Sequence, residues 1–491
     1  MIGFVAHPTT PSPLELPCTH KYFFLDLRMI QINYEGCFGD KRIDKRGAEL
    51  HRGLFRNSVH SIQQIAEHRA EQKGYYRFLR NDKVSESKLV NELSERCGKL
   101  CEGRIVLSIQ DTTQINLRQH SKRISKNNGI GDITDSKGIG FFMHPSLVVD
   151  AMTCTPIGLS DIHIWNRPFD MPSKEDRRYE SLPIEDKESY KWIESSERTK
   201  KALKAATSVI IVQDREGDIF DQFTRVPDEK TFLLIRSSTN RTTDSNQKLW
   251  DRLGSSALLG SYELPISADS RRKTVARTAI IEVRGVQVDI KRPKNSSRGE
   301  VNVVSMYAIE AKEVNSMVEE PVHWRLITTW PVNSFDDCAR VIDWYTWRWQ
   351  IEELFRVLKE EGYNIEGSEL ESALAIRKLA IMMMDVIIKL MQMRIAYDRP
   401  EDEQQIETVF DEQEQECLIQ ISKRMEGKTQ KLSNSNNPKN LKWATWVIAR
   451  MGGWKGYASQ RPPGLTALRQ GLEQFYNTLI GWNLQKDVGT R

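Results

Sequence analysis

Three acidic residues of this 491-residue chain stand where strands and a helix could present them together as hard oxygen donors of the kind divalent cations take. Asp111 ends or interrupts the strand-like run RIVLSIQDTTQINL. Asp214 directly follows VIIVQ, whose unbroken apolar run suits a strand buried on both faces of a sheet. Groups at the carboxyl ends of strands line the ligand crevice of α/β sheets. A lone Asp in that place also serves as a helix cap, and REGDIFDQF after Asp214 reads as such a helix. Glu352 lies in WYTWRWQIEELFRVLKEE. There Tyr345, Arg348, Glu352 and Lys359 follow one another at offsets of 3, 4 and 7 residues. At 3.6 residues per turn they fall within about 60° of one another. Trp344, Trp347, Ile351, Leu354, Phe355 and Leu358 occupy a separate apolar arc. One stripe thus carries a phenol, a guanidinium, a carboxylate and an ammonium. A surface ladder of ion pairs is the plain alternative.

The elements that must position these groups alternate in type. Residues 39–100 carry helical spacing in LHRGLFRNSVHSIQQIAEH and SKLVNELSERCGKL, with a helix end at YYRFLRND between them. FFMHPSLVVDAM and TPIGLSDIHIW read as two strands about a turn near Thr153 to Pro156, and TFLLIRSS as another. The stretch from about 246 to 320 is β-rich, with alternation in TAIIEVRGVQVDI and VSMYAIEAKEV, and HWRLITTW follows as a strand. One long helix is expected from about 334 to 361 and another from about 370 to 397. Residues 398–416 are acidic and Gln-rich, KTQKLSNSNNPKN is a polar linker or loop, and two helices about a Gly-rich turn close the chain.

Composition is that of an ordinary soluble protein, and a net charge of +4 does not by itself point to nucleic acid. Gly39 to Lys83, however, holds eleven Lys/Arg against six Asp/Glu, together with three histidines, a density that can track phosphates or simply solvate a helical surface. The seven cysteines are scattered, and Cys97 and Cys101 suit one helical turn better than a zinc knuckle. They read as reduced thiols of a cytoplasmic protein. Residues 1–28 are Pro-rich, without a secretory signal, and read as a disordered tail, with Met29 as an alternative start. The most apolar run, Leu379 to Tyr397, contains Asp385, Lys389, Gln392 and Arg394, so it is a buried helix and not a membrane span.

Taken together, DTT after a strand, VIIVQDREGD, and the Tyr-Arg-Glu-Lys spacing resemble the DDE transposases of bacterial insertion sequences, in particular the transposon-five transposase group. The similarity runs over about residues 37–485 and includes GDKR at 39–42, YRFLRN at 76–81, GLS at 158–160, TTWPV at 328–332, RVIDWYTWRW at 340–349 and ARMGG at 449–453. It implies an α/β fold with an RNase H-like catalytic core over 96–397, carrying the β-rich insertion at about 246–320. It also implies an N-terminal helical DNA-recognition domain over 29–95 and a C-terminal helical dimerisation domain over 398–491.

The resemblance implies Asp111, Asp214 and Glu352 as catalytic ligands of two Mg²⁺ ions, with Mn²⁺ as a substitute, Asp111 bridging and the other two holding one ion each. The resemblance further implies that water frees a 3′-OH, that this 3′-OH attacks the opposite strand to form a hairpin, and that a second water opens the hairpin before the released 3′-OH attacks target DNA. Tyr345, Arg348 and Lys359 would bind the phosphate beside an extruded base, Trp324 would stack that base with Trp349 nearby, and Arg236 would add a phosphate contact. Read as a core aromatic, Trp324 has no such role. Arg77, Arg80 and Asn81 match the end-binding segment of the group, with Lys41, Arg42 and Arg56 as further DNA contacts. The expected partners are double-stranded DNA, as transposon ends and target, and a second copy of the chain, with no membrane. The alternatives are a catalytically silent DNA-binding regulator of transposition and a general nuclease with the same core.

Overall fold

Runs of period two and runs of period 3.6 alternate along the chain, and the elements follow them. The computed structural model describes residues 34–57, 61–124, 129–133, 138–170, 179, 182–266, 276–294, 301–314, 318, 321–360, 362–398, 404–427, 433–457 and 462–489. The strands are β1 Ile105–Gln110, β2 Thr113–Asn116, β3 Gly131–Asp132, β4 Ile139–Asp150, β5 Pro156–Trp165, β6 Ser208–Gln213, β7 Thr231–Arg236, β8 Leu258–Ile266, β9 Arg277–Lys291, β10 Val303–Val314 and β11 His323–Thr328. The helices are α1 Lys41–Asn57, α2 Ile62–Ile65, α3 Arg69–Arg80, α4 Glu86–Leu100, α5 Tyr190–Ala202, α6 Phe220–Arg225, α7 Leu249–Gly254, α8 Phe335–Thr346, α9 Trp349–Lys359, α10 Ala373–Asp398, α11 Glu412–Met425, α12 Leu441–Met451 and α13 Leu465–Gly489. The protein is therefore mixed α/β. The tail at 1–28 and Met29 lie outside the described residues.

The chain divides into two units. The first contains Gly103–Asp111 and Pro172–Glu352. Its strands run in the order β1-β6-β7-β11-β10-β9-β8. β1, β6 and β7 are parallel, and β6 is buried along nearly its whole length, as its apolar run VIIV requires. From β7 onward each pairing is antiparallel. The β-rich stretch of the sequence is the meander β8–β9–β10. α8 is fixed to this sheet by aromatic edges: Trp344 meets Trp330 at 5.3 Å between centroids, and Trp330 meets Phe232 of β7 at 4.8 Å. Close approach at the other end needs Gly285, where a Cβ would stand 2.7 Å from Cys338 Sγ of α8.

The single helix expected over 334–361 is two. Trp347 caps α8, and across the joint the backbone bonds tighten to three-residue spacing: Arg348 N to Tyr345 O, Gln350 N to Trp347 O and Ile351 N to Arg348 O. Continuous apolar spacing hid the break, because a tightened turn keeps the same side chains facing inward.

The second unit contains Leu27–Glu102, Thr112–Met171 and Glu353–Arg491. Here α10 is the centre. α1, α3, α4, α12 and α13 all pack on it, and Ile376 through Ile388 are buried without interruption. β4 and β5 form an antiparallel hairpin, with β2 and β3 paired to β4. The charges of α10 are resolved by partners from distant sequence. Asp385 Oδ2 meets His51 Nε2 at 2.8 Å, and Asp385 Oδ1 accepts from Arg96 Nη2 at 3.0 Å. Arg96 also donates to both oxygens of Glu92. Burial opposes the charge on Asp385, but Arg96 and His51 outweigh it and hold the carboxyl below its usual range. Cys97 and Cys101 are buried free thiols. α11 is not legible in the sequence: Asp411 and Glu414 form a reciprocal cap, but of its apolar residues only Cys417 and Leu418 are buried, and Ile419 is exposed. No described helix is long and apolar enough to cross a membrane.

Candidate active site

Parallel pairing of β1 and β6 sets the site. Ile105 faces Ser208, and the register continues unbroken to Ile109 beside Val212. Carried one step further it sets Gln110 beside Gln213, and their amides meet, Gln213 Nε2 donating to Gln110 Oε1 at 2.7 Å. Asp111 and Asp214 are the next residues. They leave neighbouring strands, spaced about 4.8 Å apart, at equivalent positions. Asp214 also caps the short 3₁₀ turn Arg215–Gly217, its Oδ1 accepting from Glu216 N at 2.9 Å. The cap that the sequence allows at Asp214 is thus formed, and it leaves the residue directly after β6.

Glu352 occupies the first turn of α9. Arg348, on the joint before that helix, links it to the strands. Its Nη1 donates to Asp111 Oδ2 at 2.9 Å, and its Nη2 donates to Glu352 Oε1. Glu352 Oε2 is buried without a hydrogen-bond partner. Although burial works against its charge, Tyr345, Asp111, Glu352 and Asp214 hold the Arg348 guanidinium above its ordinary value.

Aromatic and cationic residues surround this bridge. Tyr345 is buried, its phenol pushed up by burial while Arg348 and Arg236 pull it the other way. Trp324, on β11, is 8% exposed and meets the Tyr345 ring edge-on at 6.1 Å. Arg236 ends β7, donates to His323 O at 3.5 Å, and is lowered chiefly by burial. Trp349 opens α9 and is half-buried. Five of the expected residues around the carboxylates thus share the first unit with all three acids: Tyr345, Arg348, Trp324, Trp349 and Arg236. Lys359 ends α9 in the second unit, where burial lowers its ammonium.

The expected end-binding residues lie in the second unit. Lys41, Arg42, Arg77 and Arg80 are exposed. Arg80 pairs with Glu371 at 3.2 Å, and Asn81 caps α3 while its Oδ1 accepts from Lys83 N. Arg56 is partly exposed and already engaged: its guanidinium lies 5.0 Å from the Tyr476 ring centroid and 3.7 Å from Glu414. Periodicity could not foresee this, since both partners come from the far end of the chain.

Sequence reasoning missed the layer beneath the acids. Gln110, Gln213 and Gln222 are fully buried, and Gln222 Nε2 donates to Gln213 Oε1 and to Gly217 O. A Cβ on Gly217 would stand 2.3 Å from Gln213 Oε1, which accounts for the glycine of DREGD. Its final acid, Asp218, accepts from Ser238 N, Thr239 N and Arg241 Nε and so ties the turn to the loop after β7. The signal was available: both strands end in Gln-Asp.

Residues 35–84 match the family model for transposase DNA-binding domains. That segment is α1 to α3 with the turn after it, and it contains every expected end-binding residue. Among solved structures, the chain is similar to a piggyBac transposase in a cryo-EM synaptic complex with hairpin DNA. The identity is 10%, the TM-score 0.33, and the match covers 74% of this chain and 71% of that one. At that distance the likeness bears on neither residue roles nor reaction.

Proposed function

We propose that this chain is a cut-and-paste DNA transposase with an RNase H-like core and Asp111, Asp214 and Glu352 as its catalytic carboxylates. The observation that carries the reading is the β1–β6 register, which brings two acids out at equivalent ends of adjacent parallel strands, with Glu352 joined to Asp111 through one guanidinium. The match over residues 35–84 supports DNA as the partner.

The donor set fits Mg²⁺, with Mn²⁺ as a substitute. All three side chains are hard oxygen donors, and a buried Glu352 oxygen lacks a partner that a cation would supply. Asp111, Asp214 and Glu352 would hold the ions. When bound, they would supply Lewis-acid polarisation of the scissile phosphate and a more acidic attacking oxygen. The rest falls to the chain. Arg348, Arg236 and Lys359 bind phosphate oxygens, and Asp218 fixes the turn that carries Asp214. The buried amides hold the two strands in register. The hairpin step belongs to the same proposal. Trp324, buried against Tyr345, can take an extruded base only if the Tyr345 ring yields its edge contact. A second copy of the chain pairs the two ends.

The test uses the purified full-length chain and duplexes of the DNA that flanks its coding sequence. Mg²⁺-dependent nicking at those ends is expected, and Glu352→Ala should reduce it to background while end binding persists. End binding without cleavage by the wild-type chain would instead favour a silent regulator, and cleavage of any duplex alike a general nuclease.

A further inference from the structure

The carboxylates of this site already hold a cation, and it is the chain's own arginine. One guanidinium nitrogen of Arg348 is engaged by Asp111 and another by Glu352. Among the described residues, no group of three or more His, Cys, Asp or Glu side chains is arranged to hold a metal ion. Yet the β1–β6 register brings Asp111 and Asp214 out side by side, and Glu352 keeps an unpartnered buried oxygen. The oxygens that a divalent ion needs are therefore present but partly spent.

We infer that in the DNA-free protein Arg348 is an internal counter-cation that closes the carboxylates to divalent metal, and that a DNA phosphate draws it away, so that metal loading follows DNA binding. The inference rests on the transposase reading and adds an order of events to it. Three observations support it. The Arg348 side chain is 18% exposed, so a phosphate can reach it from solvent. A planar guanidinium forks onto phosphate oxygens as readily as onto carboxylates, which makes the exchange chemically even. Arg348 also sits at the joint between α8 and α9, and swinging its side chain off the carboxylates leaves its backbone bonds to Tyr345 and Ile351 in place. A dication entering first would have to displace two charge-assisted hydrogen bonds and sit beside the displaced positive charge.

Mn²⁺ titration of the full-length chain, read by electron paramagnetic resonance, tests this without any turnover. Without DNA, Arg348→Ala should bind Mn²⁺ roughly ten-fold more tightly than wild type, within the usual range of a coupling between two sites. Arg348→Lys should fall between, because a compact ammonium keeps the charge but lacks the two separated nitrogens that reach Asp111 and Glu352. Arg215→Ala, which removes an exposed charge beside Asp214 but leaves the bridge, should shift binding far less. Adding a duplex of the flanking DNA, with Mn²⁺ held by DNA alone subtracted, should tighten wild type by a similar factor and leave Arg348→Ala nearly unchanged. Equal shifts from Arg215→Ala and Arg348→Ala would overturn the inference, as would wild-type binding that depends on the carboxylates but ignores DNA. Failure of the transposase reading looks different: Asp111→Ala and Glu352→Ala would then leave Mn²⁺ binding unaltered with DNA present.

Discussion

Two arginines in this molecule make the same connection with opposite completeness. Arg96 bridges Glu92, four residues away on α4, and Asp385, 289 residues away on α10. Arg348 bridges Glu352, four residues away, and Asp111, 237 residues away. In the first cluster every carboxylate oxygen has a partner, since Glu92 receives two Arg96 nitrogens and Asp385 receives Arg96 and His51. In the second, Glu352 keeps a buried oxygen with none, and Arg348 and Asp111 stay partly open to solvent. A sealed ion network specifies how helices dock. An unfinished one is free to exchange its partner for a ligand, which is where chemistry can enter.

The sharpest way to break this comparison is to cut both clusters. Asp385→Ala takes from buried Arg96 one of its two carboxylates and from His51 its partner, and should destabilise the chain by about 3–5 kcal/mol. Glu352→Ala removes an incompletely satisfied acid and should change stability by less than about 1 kcal/mol. Urea unfolding of the two variants side by side decides it, and similar losses would mean that both clusters are structural.

Acid sharpens the same contrast. His51 is pushed down to about 4, first by burial and further by Lys389 and Arg96, against the pull of Asp385. Unfolded, it titrates near 6.5. The unfolded chain thus takes the proton more readily. The stabilisation is whole above about pH 6.5 and drains away as the pH falls toward 4, by roughly 3 kcal/mol. Unfolding midpoints measured between pH 7 and 4 should drop for the wild type and flatten in His51→Gln.

A smaller effect is expected under the open cluster. Gly217→Ala drives a methyl into Gln213 Oε1 and should destabilise by about 1–3 kcal/mol. Because Gln213 precedes Asp214, DNA cleavage should fall by more than the change in folded fraction explains. Matching losses would leave the amide layer a purely structural role.

Much of this was legible because it is local. The apolar run before Asp214, the alternation that became β8 to β10, and the charges within the α10 run all survive into the structure. What escaped depends on partners remote in sequence. Arg56 reads as a free basic residue until Glu414 and Tyr476 meet it. Asp385 reads as a blemish in an apolar helix until His51 and Arg96 arrive. The joint at Trp347 and Arg348 escaped for another reason: a tightened turn changes the hydrogen-bond spacing but hardly the pattern of apolar residues.

The Gln110–Gln213 pair has a consequence for how the chain finds its fold. The two strands are parallel and their partners lie 103 residues apart, so the pairing has to be selected from a wide choice of alignments. Apolar runs such as VLSI and VIIV would tolerate a slip almost as well as the true register. The amides would not. A shift of either strand by one residue sends its glutamine to the opposite face of the sheet and breaks the Gln213–Gln110 bond. The pair therefore favours the native alignment over its neighbours, and that same alignment, one residue further on, sets one aspartate beside the other.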